Sequence, residues 1–303
     1  MADAMVEQVR RFNRTVTQRV GALDDHFAGR DRPLGEARVL WEIGADGSEV
    51  RAVRARLGLD SGHLSRLLRS LEAAGLITVT PGEQDQRVRV ARATPAGLAE
   101  LRELDRRSDA LAASLLEPLT ASQRERLTAA MRDVERLLTA AMVEIAVTDP
   151  EHPDARFCIR SYFAELERRS GAPFDPLVGS TAEPGELRPP KGELVVAYLR
   201  AEPVGCGALK RTGTKTIDIK RMWLAESARG LGLGRRLLHD LEERAARAGA
   251  RTVRLETSDL LHEAIALYRS AGYEEVPAFN DEPFAHHWFA KDLGAAPRGR
   301  AGH

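Results

Sequence analysis

The sequence predicts an α+β chain of two domains, on three observations. The first half shows helical apolar spacing almost throughout, and the second alternates strand-like and helix-like segments. All five lysines (191, 210, 215, 220 and 291) fall in the second half, so the halves also differ in composition. Between them Thr148-Asp-Pro-Glu-His-Pro-Asp154 holds two prolines, which end a preceding helix and disfavour a new one. The expected division is a first domain over 1–147, a linker over 148–154, a second domain over 155–293 and a disordered tail over 294–303 without apolar anchors.

Composition narrows the class of function. With 43% hydrophobic and 30% charged residues in 303 positions, the chain reads as soluble and globular, long enough for two cores. A formal net charge of zero excludes a polycation, so any nucleic-acid contact must come from a local basic surface. No apolar run approaches bilayer length, and the start, Met1 to Arg11, mixes acids and bases where a signal peptide needs an apolar core. Cys158 and Cys206 have no paired spacing and suggest no disulfide framework. The expected location is the cytoplasm, with no membrane contact and no metal.

In the first half, Val6, Val9, Phe12, Val16 and Val20 mark a long helix, and two shorter ones are expected over 35–44 and 49–57. Within Leu59–Gly75, Leu64, Leu67, Leu68 and Leu71 fall on one helical face, with Gly62, Arg66 and Arg69 opposite. Asp60 or Ser61 suits the N-cap and Gly75 the stop. A leucine-backed helix with a small and basic front fits a DNA major groove; a surface helix with solvated arginines is the plainer alternative. The adjoining segment favours DNA. Leu76–Thr80 and Arg87–Ala93 alternate as strands about a Pro81-Gly82 turn, giving a hairpin that carries Arg87, Arg89 and Arg92. Between Glu49 and Arg92 eight arginines face five acids. An arginine at a hairpin tip beside a recognition helix can enter the adjacent minor groove.

Over residues 5 to 147 the chain resembles the MarR family of winged-helix regulators. Gly75-Leu76-Ile77 at the helix end, Asp85-Gln-Arg87 in the wing and Thr94-Pro-Ala-Gly97 at the next helix carry the likeness. The resemblance implies a mostly α winged helix-turn-helix domain in which Asp85 braces the wing and Arg87 meets DNA. Ser61, Gly62, His63, Ser65, Arg66 and Arg69 would present the recognition face. Thr94 with Pro95 reads as an N-cap, and Thr120-Ala-Ser-Gln123 as a capping box. It also implies a homodimer on a pseudo-palindromic operator. Leu127, Met131, Val134, Leu138 and Met142 form an apolar stripe that suits either that dimer or ordinary core.

In the second half, Glu193–Arg200, Pro203–Lys210 and Thr216–Leu224 read as strands. Directly after them comes Arg229-Gly-Leu-Gly-Leu-Gly-Arg-Arg236, then an amphipathic helix marked by Leu237, Leu238, Leu241, Ala245 and Ala248. A glycine-rich turn into a helix leaves backbone N–H groups free for a phosphate. A Rossmann site is rejected, because the glycines come after an antiparallel meander with Arg-x-x-Gly-x-Gly spacing. A second element lies downstream: strand Thr252–Thr257, then Ala264-Ile-Ala-Leu-Tyr268 running to Gly272-Tyr273.

Together these two elements resemble the GNAT acetyltransferase superfamily from about 156 to 293. The resemblance implies an α/β domain with a mixed, mainly antiparallel sheet, acetyl-CoA as co-substrate and direct transfer to a primary amine. Met222 and Leu224 would align the pantetheine arm. Arg229, Gly230, Gly232, Gly234 and Arg235 would hold the pyrophosphate, and Tyr268 would protonate the leaving thiolate. The base stays open: Asp218 matches a position where relatives carry an acid, although an ion pair with nearby Lys220 competes, and His286 or His287 is another candidate. Leu261 stands where the family commonly has asparagine, so that contact to the coenzyme is expected to be either missing or moved to Ser258 or His262. Ser170–Glu186 reads as a long loop over the acceptor site. The expected function is a bifunctional regulator and small-amine N-acetyltransferase; a DNA-targeted protein-lysine acetyltransferase and a non-catalytic acyl-CoA sensor are the alternatives.

Overall fold

The structure, a computed structural model, describes residues 2–20, 32–83, 85–171, 182–282 and 284–294. The chain divides into two compact units, Met1–Arg132 and Asp133–His303. The first holds α1 (Ala2–Arg19), α2 (Leu34–Ile43), β1 (Ser48–Glu49), α3 (Val50–Leu57), α4 (Ser61–Ala73), β2 (Ile77–Pro81), β3 (Arg89–Ala93) and α5 (Pro95–Leu116). Leu64, Leu68 and Leu71 of α4 are at most 3% exposed and share a core with Val39, Leu40 and Ile43 of α2. Each such leucine contributes roughly 1.5–3 kcal/mol by burial, so this stripe fixes which face of α4 points outward.

The caps expected from sequence are in place. The Asp60 carboxylate accepts from the His63 N–H at 2.8 Å, and the Thr94 hydroxyl accepts from the Gly97 N–H at 3.1 Å. Gly97 is needed for close approach, since a β-carbon there would lie 2.0 Å from the Leu76 carbonyl oxygen. Thr120 and Gln123 cap α6 (Ala121–Ala141) reciprocally. The hairpin adds β1, giving a sheet ordered β1-β3-β2, with Ala91 opposite both Ser48 and Val79. Helix α6 has no buried residue, and its Met131, Leu137 and Leu138 are exposed, as are Val6, Val9 and Phe12 of α1.

The second unit contains β4 (Val143–Val147), α7 (Pro153–Ser170), β5 (Gly192–Leu199), β6 (Glu202–Arg211), β7 (Thr216–Leu224), α8 (Leu233–Arg247), β8 (Thr252–Thr257), α9 (His262–Ser270), β9 (Glu274–Glu275) and β10 (His287–Asp292). Among the described residues they form a seven-stranded sheet, β4-β5-β6-β7-β8-β10-β9. Every pairing is antiparallel except β7 with β8. Alternation along the strands feeds two layers: Leu194, Val196, Cys206 and Ala208 pack with Ala155 and Cys158 of α7, while Val195, Leu209, Ile217 and Ile219 pack with the leucines of α8.

The seam expected after Val147 is corrected. Residues 143–147 form a strand paired with β5, from Val143 opposite Leu199 to Val147 opposite Val195, and the units part at Arg132. Helical spacing stops at Met142, but a five-residue strand is too short to show a clear period of two. The tail expected over 294–303 lies, apart from Gly294, outside the described residues, and so do 172–181 of the expected acceptor loop.

Sheet geometry opens the site. The parallel pairing of β7 and β8 covers only Thr216–Asp218 against Thr252–Arg254, yet β7 runs on to Leu224 and β8 to Thr257. Beyond Asp218 the two strands are no longer paired. There β7 also bulges against β6, and Arg221 takes a left-handed φ of 53°, a conformation side chains other than glycine rarely adopt.

Candidate functional site

On the first unit, Ser61, Gly62, His63, Ser65, Arg66 and Arg69 are all exposed along the outer face of α4. The Asp60 cap leaves this helix start ordered, and the His63 N–H that it accepts from holds its carboxyl below the usual range. In the wing, the Asp85 carboxylate accepts from the Arg87 N–H at 2.9 Å, while the Val88 N–H donates to the Asp85 carbonyl at 3.0 Å. The turn is thereby closed by its own backbone, and the Arg87 side chain stands exposed. Arg92, expected on the same arm, pairs with Glu83 at 3.3 Å.

On the second unit, a cleft of about 440 Å³ opens between β7 and the start of α8. Gly230 and Gly232 have φ of 75° and 77°, and a β-carbon at either would meet nothing within 4 Å. The turn therefore faces open space with its main chain, and the first N–H groups of α8 have no acceptor within their own helix. Gly234 serves packing instead, its β-carbon position lying 3.3 Å from Leu267. Met222, Leu224, Arg229, Gly230, Gly232, Gly234 and Arg235 all line this cleft.

The charges of the cleft are arranged differently from the expectation. Arg229 ion-pairs with Glu165 of α7 and donates to the Leu224 carbonyl from Nε at 3.1 Å and Nη2 at 3.0 Å. Glu165 also accepts from Trp223 Nε1 at 2.9 Å and pairs with Arg169 at 2.8 Å. Burial pulls its carboxyl upward, but the hydrogen bonds from Arg229 and Trp223 bring it below the usual range. Arg229 thus ties the turn to β7 and α7. Arg235 bonds Ser270, through Nη2 to the hydroxyl at 2.7 Å.

Tyr268 of α9 is 6% exposed and stands where the cleft meets a second cavity of about 100 Å³. Its hydroxyl lies 3.9 Å from Met222 Sδ, and burial, with the Glu256 carboxylate nearby, pushes it well above the usual tyrosine range. It is therefore held protonated at neutral pH. The second cavity is lined by Lys220, Arg221, Glu256, Ser258 and Glu282 besides aromatic residues. Lys220 and Glu256 form a buried ion pair, and Asn280 Nδ2 donates to the other Glu256 oxygen at 3.4 Å.

Asp218 does not reach either cavity. Its carboxylate is 5% exposed and takes Arg254 Nε at 2.9 Å, Arg254 Nη2 at 3.2 Å and the Thr212 hydroxyl at 3.1 Å. The register that sets Asp218 beside Arg254 supplies this partner, so the expected base is a strand clasp. The histidines are also elsewhere: His286 pairs with Asp259 at 3.3 Å and His287 with Glu275 at 2.6 Å, and neither lines the small cavity. Ser258 does line it, whereas Leu261 adds only apolar surface and His262 faces away. Sequence reasoning missed Glu165, Glu256 and Glu282; only Glu256, at the end of a legible strand, had a local signal.

Residues 142–273 match the acetyltransferase (GNAT) family and residues 30–88 match the MarR family. Over 94 residues the chain is 37% identical to a protein of Azospirillum brasilense named IAA acetyltransferase, across 31% of this chain and 61% of that one. Over 98 residues it is 28% identical to the Bacillus subtilis protein named Uncharacterized N-acetyltransferase YvbK, across 32% and 63%. The chain thus spans about three fifths of the length of these curated relatives. Among solved structures, a GNAT-family acetyltransferase from Staphylococcus aureus Mu50 aligns with a TM-score of 0.43 at 15% identity, over 50% of this chain and 99% of that one. One from Elizabethkingia anophelis, solved with acetyl-CoA bound, aligns with a TM-score of 0.37 at 16% identity, over 50% and 98%.

Proposed function

We propose that this chain, in which a MarR-family domain is joined to a GNAT-family acetyltransferase domain, is a homodimeric DNA-binding regulator that also transfers acetyl from acetyl-CoA to a primary amine. The observation that carries the enzymatic half is the position of Tyr268, buried where the glycine-turn cleft meets the small charged cavity. Two substrates entering from opposite sides would meet at its hydroxyl.

Acetyl-CoA supplies the activated acetyl group when bound, and the cleft fits it by its open glycine turn. The N–H groups around Gly230, Gly232 and Gly234 meet the pyrophosphate at the start of α8, where the helix dipole adds to them. Arg235 adds positive charge; Arg229 holds the turn in shape. Met222 and Leu224 offer the unpaired edge of β7 to the pantetheine arm as a substitute strand. A backbone N–H of β7 beside the bulge at Arg221 would stabilise the oxyanion. Tyr268 donates a hydrogen bond, then its proton, to the sulfur as the C–S bond breaks.

For the regulatory half, the exposed α4 face and Arg87 suit a major groove and the minor groove beside it. The apolar faces of α1 and α6 support a dimer, because such surface is seldom left to water in a soluble monomer. The small acceptor cavity favours a small amine over a protein lysine.

The decisive measurement is acetyl-CoA-dependent thiol release with amine acceptors, corrected for hydrolysis, in wild type and Tyr268→Phe. Turnover is expected to drop by roughly ten- to a thousandfold with coenzyme affinity unchanged. Wild-type turnover in the variant would reduce Tyr268 to a packed aromatic.

A further inference from the structure

We propose that Glu282 is the base of the acceptor cavity and its specificity carboxylate, selecting a small primary ammonium compound. The inference rests on the acetyltransferase reading above and names the acceptor class for that same site.

Each of the other charged groups in the cavity is already engaged. Lys220 and Glu256 neutralise one another, with side chains 7% and 9% exposed, and Asn280 fixes the second Glu256 oxygen. Asn280 is itself oriented by Trp288 Nε1, which donates to its Oδ1 at 2.8 Å. The Arg221 guanidinium donates to the Ala182 carbonyl and lies 5.2 Å from the centre of the Phe163 ring. Among the described residues, no hydrogen bond or ion pair engages the Glu282 carboxylate, although the residue is partly buried and lines the cavity. A half-buried carboxylate with no hydrogen-bond or ion-pair partner, its charge met only at longer range by Lys220 and Arg221, is relieved by a cation in direct contact. The same cavity presents Tyr268 at its junction with the coenzyme cleft. An ammonium paired with Glu282 would thus be held beside the reacting centre.

Size restricts the class further. A space of about 100 Å³ is well below the roughly 300–1,000 Å³ of a drug-sized ligand site, so a short alkylamine, or the end of one, is what enters. Chemistry agrees. Burial, and then the Glu256 carboxylate, raise the proton affinity of Glu282, which brings it nearer to that of the amine it must deprotonate.

The step balances. Glu282 takes one proton from the ammonium, leaving a lone pair on nitrogen. That pair forms the C–N bond at the thioester carbonyl, and the C–S bond breaks with its electrons on sulfur. Tyr268 protonates the sulfur and is restored by the second nitrogen proton, while Glu282 releases its proton to solvent. The products are the N-acetyl amine, free coenzyme thiol and one proton.

The test uses the full chain with acetyl-CoA and three probes: ethylamine, n-butylamine and 1,4-diaminobutane. In wild type, the rate at low acceptor concentration should be flat from about pH 7 to 9, since the ammonium itself is the substrate and Glu282 is ionised. In Glu282→Gln it should fall at least a hundredfold at pH 7 and rise about tenfold per pH unit, tracking the free amine. Glu282→Asp should recover part of the flat profile. In parallel, binding of n-butylammonium to the coenzyme-A-loaded protein is measured by calorimetry, with n-butanol as the uncharged control. Glu282→Gln should weaken the ammonium at least tenfold and leave the alcohol unchanged. A flat profile in Glu282→Gln, equal ammonium affinity in both proteins, or no ammonium binding in wild type overturns the assignment. Glu282-dependent binding with no acetyl transfer upholds the ammonium site and defeats the transferase reading alone.

Discussion

On α4 and the wing, Arg66, Arg69 and Arg87 are exposed, and among the described residues none pairs with a carboxylate; in the second unit Arg229 is clasped by Glu165 in the cleft, Lys220 by Glu256 in the small cavity and Arg254 by Asp218 between β7 and β8. The contrast separates two ways of preparing for an anion. A surface that meets DNA can keep its cations hydrated and free, because the polyanion supplies the counter-charge and salt is released on binding. A buried cation left unpaired carries a desolvation cost, so the paired side-chain charges there fix shape, while the exposed Arg235 bonds Ser270 and, among the described residues, no carboxylate. Its affinity for phosphate must then come largely from backbone N–H groups, which carry no counter-ion.

The sharpest way to break that comparison is Gly232→Glu. The position has φ of 77°, lines the cleft, and a β-carbon there would meet nothing within 4 Å, so a new carboxylate there has room beside the proposed pyrophosphate site. Acetyl-CoA affinity should fall more than about a hundredfold, by repulsion together with backbone strain of roughly 1–2 kcal/mol. Gly232→Ala, which has the strain without the charge, should lose about tenfold or less. Calorimetry on both variants, with operator binding as the folding control, checks this. If Gly232→Glu still binds normally, the phosphate is held by side chains and the contrast between the surfaces collapses.

The opposite side is probed by Arg66→Ala and Arg87→Ala. Each should weaken operator binding by roughly 1–3 kcal/mol, or about five- to 160-fold, if it reads a base edge. If instead it touches phosphate, the loss should be even across sequences and the salt slope should drop by about one. Fluorescence anisotropy against specific and random duplexes at several salt concentrations separates the two cases. Loss of neither kind would remove α4 and the wing from the interface.

The same two surfaces show why some of the site could be read from sequence and some could not. The α4 face was legible because a period of 3.6, an N-cap and a wing Asp-x-Arg are all local, and each contact lies within a few residues of its cause. The glycine turn was legible for the same reason. The base was not. Asp218 and Lys220 do share a strand face, but the parallel register brings Arg254 to Asp218 from β8, a strand far away in sequence. Glu282 lies in a segment with no regular structure and reaches the cavity only through the connection into β10, so no periodicity announces it. Strand β4 was missed because Val143–Val147 is short and continues directly from a long helix. Pairing between distant strands is the information that local spacing lacks.

The smallest expected effect sharpens the claim that the cleft charges build shape. Glu165 has a lowered pKa in the folded chain despite burial, because Arg229 and Trp223 bond its ionised form. The folded state therefore binds this proton less readily than the unfolded state. By linkage its contribution is fully present above the ordinary value of 4.5 and is lost as pH falls through the lower folded value. Glu165→Gln keeps the shape but removes the charge, leaving Arg229 and Arg169 with a weaker acceptor. The melting temperature of the full chain should fall by about 2–6 °C at pH 7, while the gap to wild type narrows steadily below about pH 4.5. Near-ultraviolet circular dichroism reports this directly, since Trp223 donates to the carboxylate in question. A gap that is constant between pH 3 and pH 7 would mean that Glu165 acts by packing, and that its ion pairs with Arg229 and Arg169 contribute nothing to the turn.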